Sequence, residues 1–387
     1  MEDSPRRAQV SALLDVYETL PFSIESGAGV HLRASDGREY LDFYGGHAVA
    51  VLGYGHPALV EALREQAQTL FFQSNLAPVA VRERAARTLL EFGPPGMTRV
   101  FFVNSGAEAN ENALRLAFRR TRRARVVAVR GAFHGRTGAA GAVTDQNDRW
   151  YAFPQAPFPV TFVERDDCEA LRREVREDAA ALILEPVQGV AGAVALSAQF
   201  LQTAREACSA AGATLIFDEV QCGMGRTGFP FAAQAYGVTP DILTVGKGLA
   251  GGFPAAAVLV NDWVAACVER GDLGTTFGGG PMACALVDTV CRTIARERLL
   301  PRVRRLSERM IRECVTGPVE AVQGMGFLLG LRTRPAAKAV LGGLRARGIL
   351  AGGSRDPHVV RLLPPLILED AHVDRLLEAL KGLSTDG

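Results

Sequence analysis

The chain reads as an α/β protein: a mostly parallel, seven-stranded sheet covered by helices, joined to a smaller α+β domain. Three observations predict this. Seven short apolar segments recur between about residues 100 and 260, helical stretches fall between several of them, and the chain turns helical and arginine-rich after about residue 283. Fully apolar strands linked by helical crossovers belong to a parallel sheet with both faces covered. A length of 387 residues exceeds one ordinary core, so two domains are expected. We assign residues 46–282 to the large domain and residues 1–45 with 283–387 to the small one.

In chain order, Val30–Arg33 and Glu39–Phe43 flank Ser35-Asp36-Gly37-Arg38, which is a hairpin pattern. Pro57 opens a helix expected from about Ala58 to Leu70. Strands are expected at Val100–Val103, Val126–Val129, Val160–Val163, Ala181–Leu184, Thr214–Phe217, Ile242–Val245 and Ala256–Val260. Helices are expected at Glu108–Arg119 and Gln199–Ala211. The apolar segments Gly326–Leu331 and Val359–Leu363 have no obvious place in the main sheet, so they are assigned to the small domain. Ligands of such sheets bind beyond the carboxyl ends of the strands, which directs attention to the residues that follow each strand.

Composition narrows the function. Hydrophobic residues make up 48%, charged residues 22%, and the net charge is +1, so no global field favours nucleic acid or membrane. No uninterrupted apolar run reaches the ~18 residues of a membrane span. The opening segment MEDSPRRAQV lacks a leader's apolar core. The seven cysteines are scattered without a CxxC pair, which reads as reduced thiols in a cytoplasmic protein and no metal site. Of 43 basic residues only Lys247, Lys338 and Lys381 are lysines. The last two sit in polar or terminal surroundings and read as surface groups. Lys247 lies between glycines after an apolar run.

Three constellations carry chemistry. In Phe101-Phe102-Val103-Asn104-Ser105-Gly106-Ala107-Glu108, a strand ends and a helix begins, so free amides and the helix dipole suit a phosphate. Taken alone, Ser105 reads equally as a helix cap. In Leu215-Ile216-Phe217-Asp218, a carboxylate ends an apolar strand, where a cationic partner would make its burial tolerable. A structural Asp is the alternative. In Ile242-Leu243-Thr244-Val245-Gly246-Lys247-Gly248, the amine lies just past another strand end. A phosphate-binding lysine is the alternative there, although the spacing does not fit a P-loop. An aldehyde cofactor needs an amine for a Schiff base, a carboxylate to keep its ring nitrogen protonated, and a phosphate anchor. The ordered set provides all three.

Further motifs extend this. Tyr40-Leu41-Asp42-Phe43, Gly55-His56-Pro57, Asn104–Glu111, Phe133-His134-Gly135-Arg136-Thr137, Glu185-Pro186-Val187-Gln188-Gly189, Phe217–Gln221, Gly246-Lys247-Gly248, Thr275–Gly279 and Arg361–Leu366 occur in order over nearly the whole chain. With these motifs the chain resembles the class III aminotransferases of fold type I, and most closely the acetylornithine and ornithine aminotransferases. The resemblance implies pyridoxal 5'-phosphate as cofactor and a homodimer with shared active sites. It implies that Ser105, Gly106 and Ala107 hold the phosphate, Phe133 stacks on the ring, and Glu185 and Val220 support it. Asp218 would pair with the ring nitrogen, Gln221 with the phenolic oxygen, and Lys247 would carry the cofactor and shuttle the proton. Thr276 would reach the neighbouring subunit's phosphate. Arg136, Thr275 and Tyr17 would contact substrate, and Arg361 would take the α-carboxylate of glutamate and 2-oxoglutarate.

The implied reaction moves an amino group from an ω-amino acid such as N-acetylornithine to 2-oxoglutarate, giving a semialdehyde and glutamate, as in arginine biosynthesis. Ornithine, an aminoadipate-semialdehyde derivative or 4-aminobutyrate would use the same machinery. A racemase or aminomutase would keep Lys247 and Asp218, and a non-catalytic binding protein would need neither. Two positions depart from the subgroup. Val190 stands where a glutamate usually pairs with the second arginine, which leaves Arg361 open to a carboxylate. His47 stands where ornithine enzymes carry tyrosine and acetylornithine enzymes an aliphatic residue, and it reads either as a substrate contact or as a satisfied histidine.

Overall fold

A computed structural model describes residues 12–148 and 151–384 of the chain. The segment MEDSPRRAQV therefore lies outside the described residues. In order, the strands are β1 (Ile24–Ala28), β2 (His31–Ala34), β3 (Glu39–Asp42), β4 (Arg99–Val103), β5 (Arg125–Val129), β6 (Val160–Val163), β7 (Ala179–Leu184), β8 (Val187–Gln188), β9 (Val194–Ala195), β10 (Thr214–Asp218), β11 (Ile242–Val245), β12 (Ala256–Val260), β13 (Val319–Met325), β14 (Leu328–Thr333), β15 (Ile349–Leu350) and β16 (Val359–Leu362).

All seven expected strands meet in one sheet of order β4-β12-β11-β10-β7-β5-β6. Only β12 runs against its neighbours β11 and β4. Alternate side chains along each strand enter different cores, as the two-residue period requires. Val126, Ala128, Ile183, Ile216 and Val258 join Ala109, Ala113 and Leu116 of the helix Gly106–Thr121 on one face. Val127, Val129, Leu182, Phe217 and Leu259 join Phe200, Leu201 and Ala204 of the helix Ala198–Ala211 on the other. Both helices begin on a serine cap: Ser105 accepts from Glu108 N and Ser197 from Phe200 N.

The expected hairpin forms from β2 and β3, while the expected helix at about Ala58 spans Pro57–Thr69. Near the two ends of the chain, β3 pairs in parallel with β15, so the N-terminal strands share a four-stranded sheet with a late segment. β13, β14 and β16 make a separate antiparallel sheet. β16 carries Arg361, and Leu363 just beyond it donates its amide to Phe43 O at 2.7 Å. That bond ties the end of β3 to the end of β16 and brings two distant parts of the sequence to the site.

Candidate active site

The carboxyl ends of β4, β10 and β11 border a cavity of about 270 Å³, lined by Gly106, Ala107, Asn110, Phe133, His134, Arg136, Glu185, Val190, Asp218, Val220, Gln221 and Lys247 among others. Its wall is set by a close approach. A Cβ on Gly106 would lie 2.6 Å from Val220 Cγ1, so only glycine lets the helix start against this side chain. The first-turn amides of a helix have no intrahelical acceptor, and those of Gly106 and Ala107 belong to residues that line the cavity. Ser105 serves the cap: its hydroxyl accepts from Glu108 N, while Glu108 accepts from Asn104 N and Ser105 N.

Asp218 sits at the end of β10 and is 3% exposed. Its Oδ2 accepts from Asn110 Nδ2 and bonds His134 Nδ1, both at 2.7 Å, and its Oδ1 accepts from Val220 N at 3.0 Å. Thr244 Oγ1 donates to Asn110 Oδ1 at 2.7 Å, which turns the Asn110 amide group toward Asp218. Asn110, His134 and Thr244 were not singled out from the sequence. Their places come from folding: Asn110 lies one helical turn after Gly106, and Thr244 is the register partner of Asp218 in the β10–β11 pair.

Lys247 follows β11 with a left-handed φ of 45°. Burial depresses its ammonium below the ordinary lysine range, while the charges of Asp218 and Glu185 oppose this. Glu185 accepts from Phe133 N at 2.8 Å and from Gly189 N at 3.4 Å. Burial, with Asp218 nearby, pushes its carboxyl up to about 7. Gln221 is admitted by Gly189, since a Cβ there would come within 1.6 Å of Gln221 Oε1. Buried polar atoms are almost always paired, yet Gln221 Nε2 and His134 Nε2 have no partner. An amine, a carboxylate, free helix amides and unpaired polar atoms in one cavity suit a phosphorylated, ring-bearing aldehyde.

Arg361 borders this cavity through Gln221. Its Nε donates to Gly353 O at 2.6 Å, and its Nη1 to Gly189 O at 3.2 Å and Gln221 Oε1 at 3.4 Å. Arg136 lies at the exposed rim. His47 bonds Tyr44 beside Arg361. The remaining sequence candidates are not brought to this cavity within one chain. Thr275 Oγ1 accepts from Gly278 N at 3.1 Å, Thr276 is exposed, and Tyr17 is 73% exposed.

Glu219, next to Asp218, faces away and accepts from Ala232 N at 2.5 Å and Ala233 N at 2.8 Å. Burial pushes its carboxyl from the ordinary 4.5 up to about 7. The folded chain therefore holds this proton more tightly than the unfolded chain. Its stabilising effect is complete below about 4.5 and is lost as pH rises to about 7. The stability difference between the wild type and Glu219→Gln should accordingly change by up to about 3 kcal/mol across that window and stay constant above it. Urea unfolding at several pH values measures this; a difference independent of pH would count against it.

The sequence pattern of the family described as Aminotransferase class-III matches residues 15–383. An acetylornithine aminotransferase from Streptomyces coelicolor is 44% identical over 380 residues, covering 96% of this chain and 93% of the relative. Among solved structures, the ornithine aminotransferase from Toxoplasma gondii aligns with a TM-score of 0.90 at 30% identity, covering 95% of this chain and 92% of that one. The acetylornithine aminotransferase from Elizabethkingia anophelis aligns with a TM-score of 0.85 at 29% identity, covering 95% of both chains.

Proposed function

Because the chain belongs to the class-III aminotransferase family, and is therefore a pyridoxal-phosphate-dependent transaminase, we propose that its amino donor is N-acetylornithine and its acceptor 2-oxoglutarate. The products are a semialdehyde and glutamate. The observation that carries the reading is the gathering of Lys247, Asp218 and the Gly106–Ala107 amides in one cavity, with Arg136 at its rim and Arg361 at its border. The donor's identity is supported by the acetylornithine aminotransferases that match over nearly the whole chain.

Pyridoxal phosphate, when bound, supplies an electron sink for deprotonation beside the reacting nitrogen. The chain's own groups do the rest. Gly106 and Ala107 would donate amides to the cofactor's phosphate, and Phe133 would cover one face of its ring. Gln221 Nε2, unpaired in the cavity, would donate to its phenolic oxygen. Asp218 would face its ring nitrogen, and Glu185 and Val220 would brace the wall. Lys247, with its ammonium depressed by burial, would be the residue that holds the cofactor and carries the proton. Arg136 takes the donor's carboxylate and Arg361 the α-carboxylate of the acceptor, the pairing for which a planar guanidinium is suited.

A homodimer belongs to the same reading. Its support is a set of exposed apolar side chains, including Val60 at 55%, Phe71 at 68%, Leu76 at 93% and Phe277 at 66%, with the rings of Phe72 and Phe277 in contact. Phe277 adjoins Thr276, which on this reading serves the neighbouring copy's phosphate. The two-domain division at residues 46–282 is retained as part of the proposal, supported by the β3–β15 pairing. No described helix is long and apolar enough to cross a membrane. No cluster of metal-ligating side chains occurs among the described residues. A cytoplasmic location is proposed with the function.

The test is a half-reaction screen that follows cofactor absorbance with single amino donors. N-acetylornithine should react faster than ornithine or 4-aminobutyrate; a tenfold preference for either of those replaces the donor. Arg361→Ala should weaken 2-oxoglutarate by about 10- to 100-fold and leave the N-acetylornithine half-reaction within about threefold. An unchanged acceptor half-reaction removes Arg361 from the site.

A further inference from the structure

Residues 45–48 form a left-handed turn. Gly45, Gly46, His47 and Ala48 have φ of 58°, 54°, 70° and 67°. For His47 and Ala48 this costs on the order of 1 kcal/mol each. The turn is held from several sides. Asp42 Oδ1 accepts from Tyr44 N at 2.7 Å and Gly45 N at 2.9 Å, and Tyr54 donates its hydroxyl to Asp42 Oδ2 at 2.5 Å. A Cβ on Gly45 would come within 2.6 Å of Leu363 O. Strain held in place this way delivers two side chains to one spot.

Those side chains meet Arg361. The Tyr44 ring lies over Gly352, where a Cβ would come within 1.8 Å of it, and Gly352 is bonded to Arg361 through both backbone groups. Arg361 Nη2 donates to the Tyr44 hydroxyl oxygen at 3.4 Å. The same hydroxyl makes a short bond to His47 Nδ1. A guanidinium can only donate, so the Tyr44 oxygen accepts from Arg361, and the same hydroxyl is shared with His47 Nδ1. Burial, with the charges of Lys247 and Arg361, pushes His47 down to about 3 and keeps it neutral.

Every acceptor on Arg361 is thus neutral: Gly353 O, Gly189 O, Gln221 Oε1 and the Tyr44 hydroxyl. Among the described residues no carboxylate lies within 4.0 Å of it, although it is 4% exposed; Glu185 acts on it only through the field of a more distant carboxyl. Its terminal nitrogens are held only at 3.2–3.4 Å. A buried cation normally requires a charged partner.

We propose that Tyr44 and His47 are specificity-determining residues that form a neutral cover on Arg361. The cover satisfies the guanidinium when the reacting carbon of the substrate bears no carboxylate, and it yields when a carboxylate arrives. The inference rests on the reading of Arg361 as the acceptor's carboxylate anchor. A hydroxyl is displaced at the loss of one neutral hydrogen bond, whereas a carboxylate cover would have to be displaced as a charge. One active site can therefore serve an ω-amino donor and a dicarboxylate acceptor in turn.

The consequence has an unusual sign. Removing the cover leaves a guanidinium N–H unpaired, so a dicarboxylate should bind more tightly. The probe is glutarate, a dicarboxylate without an amino or keto group, titrated into the holoenzyme by calorimetry with butyrate as the one-carboxylate control. Tyr44→Phe should tighten glutarate by about 5- to 30-fold relative to butyrate. It should also increase glutarate inhibition of the amino-donor half-reaction. His47→Asn, which tolerates the left-handed backbone, should act in the same direction more weakly. Val190→Glu, which sets a carboxylate beside the Gly189 carbonyl, should weaken glutarate. A loss of fold or packing would instead lower affinity for both probes. If Arg361→Ala leaves glutarate unmoved, the anchor reading fails and this inference with it. If Arg361→Ala weakens glutarate but neither Tyr44→Phe nor His47→Asn tightens it, the inference alone is overturned.

Discussion

Replacing Lys247 by alanine should abolish turnover, a loss of at least about 10⁴-fold, because one side chain serves both as the proposed attachment point and as the proton carrier. Its position supports that double duty. Gly246 is extended with φ of −164°, and Lys247 then turns left-handed at 45° into the 3₁₀ turn Lys247–Ala250. This abrupt reversal at the end of β11 sends the side chain into the cavity instead of along the strand. Burial lowers the ammonium, so a larger share is the free amine that attacks an aldehyde. Asp218 and Glu185 limit the shift, and they keep the group able to take a proton back. The direct measurement is borohydride reduction followed by peptide mass analysis. The wild type should gain a permanent cofactor mass on the peptide containing Lys247, and the variant none. Turnover by Lys247→Ala within tenfold of wild type would falsify the assignment.

Much of the fold was legible because the five inner strands of the seven are buried on both faces and the edge strands β4 and β6 are partly so, and such strands are written as short apolar runs. Each of the seven runs became a strand of the same sheet, with ends shifted by no more than two residues. The direction of β12 was not legible, since an apolar run such as Ala256–Val260 reads the same for either orientation. β1 went unnoticed because all five of its residues are exposed, so no alternation marks it; pairing with β2 alone makes it a strand. β8 and β9 are two residues each, below any periodicity.

The site divides in the same way. Lys247, Asp218 and Gly106 were legible since each follows an apolar strand, where a charge or a glycine has few structural reasons to be. Asn110, His134 and Tyr44 were not, because their roles come from what folding puts opposite them. Tyr44 is 317 residues from Arg361 in sequence, and only the tie between Phe43 and Leu363 makes them neighbours. The absence of a carboxylate at Val190 was visible in the sequence. What covers Arg361 instead required the left-handed turn at Gly45–Ala48, and four successive positive φ values leave no signature beyond two glycines.

Asp218→Asn should cut turnover by about 10²- to 10³-fold while leaving the cofactor attached to Lys247. The substitution keeps the shape of the side chain and removes its charge, and the surrounding hydrogen bonds make that a demanding exchange. Thr244 fixes the Asn110 amide so that its NH₂ group faces Asp218 Oδ2, where His134 Nδ1 also bonds. Val220 N donates to the other oxygen. An asparagine can place its one oxygen toward the Asn110 and His134 side, but its NH₂ then meets the Val220 N–H. In the opposite orientation it meets the Asn110 NH₂. Either way one buried donor is left facing a donor, and no negative charge remains at the end of β10. Two measurements separate these effects. Borohydride-trapped mass on Lys247 should be unchanged, which shows that the cavity still forms. The pH dependence of the visible absorbance should shift, which a purely structural residue would not cause. Asp218→Glu restores the charge with altered reach and should recover part of the lost rate. If it is as slow as Asp218→Asn while still binding cofactor, position rather than charge is what the site requires of residue 218.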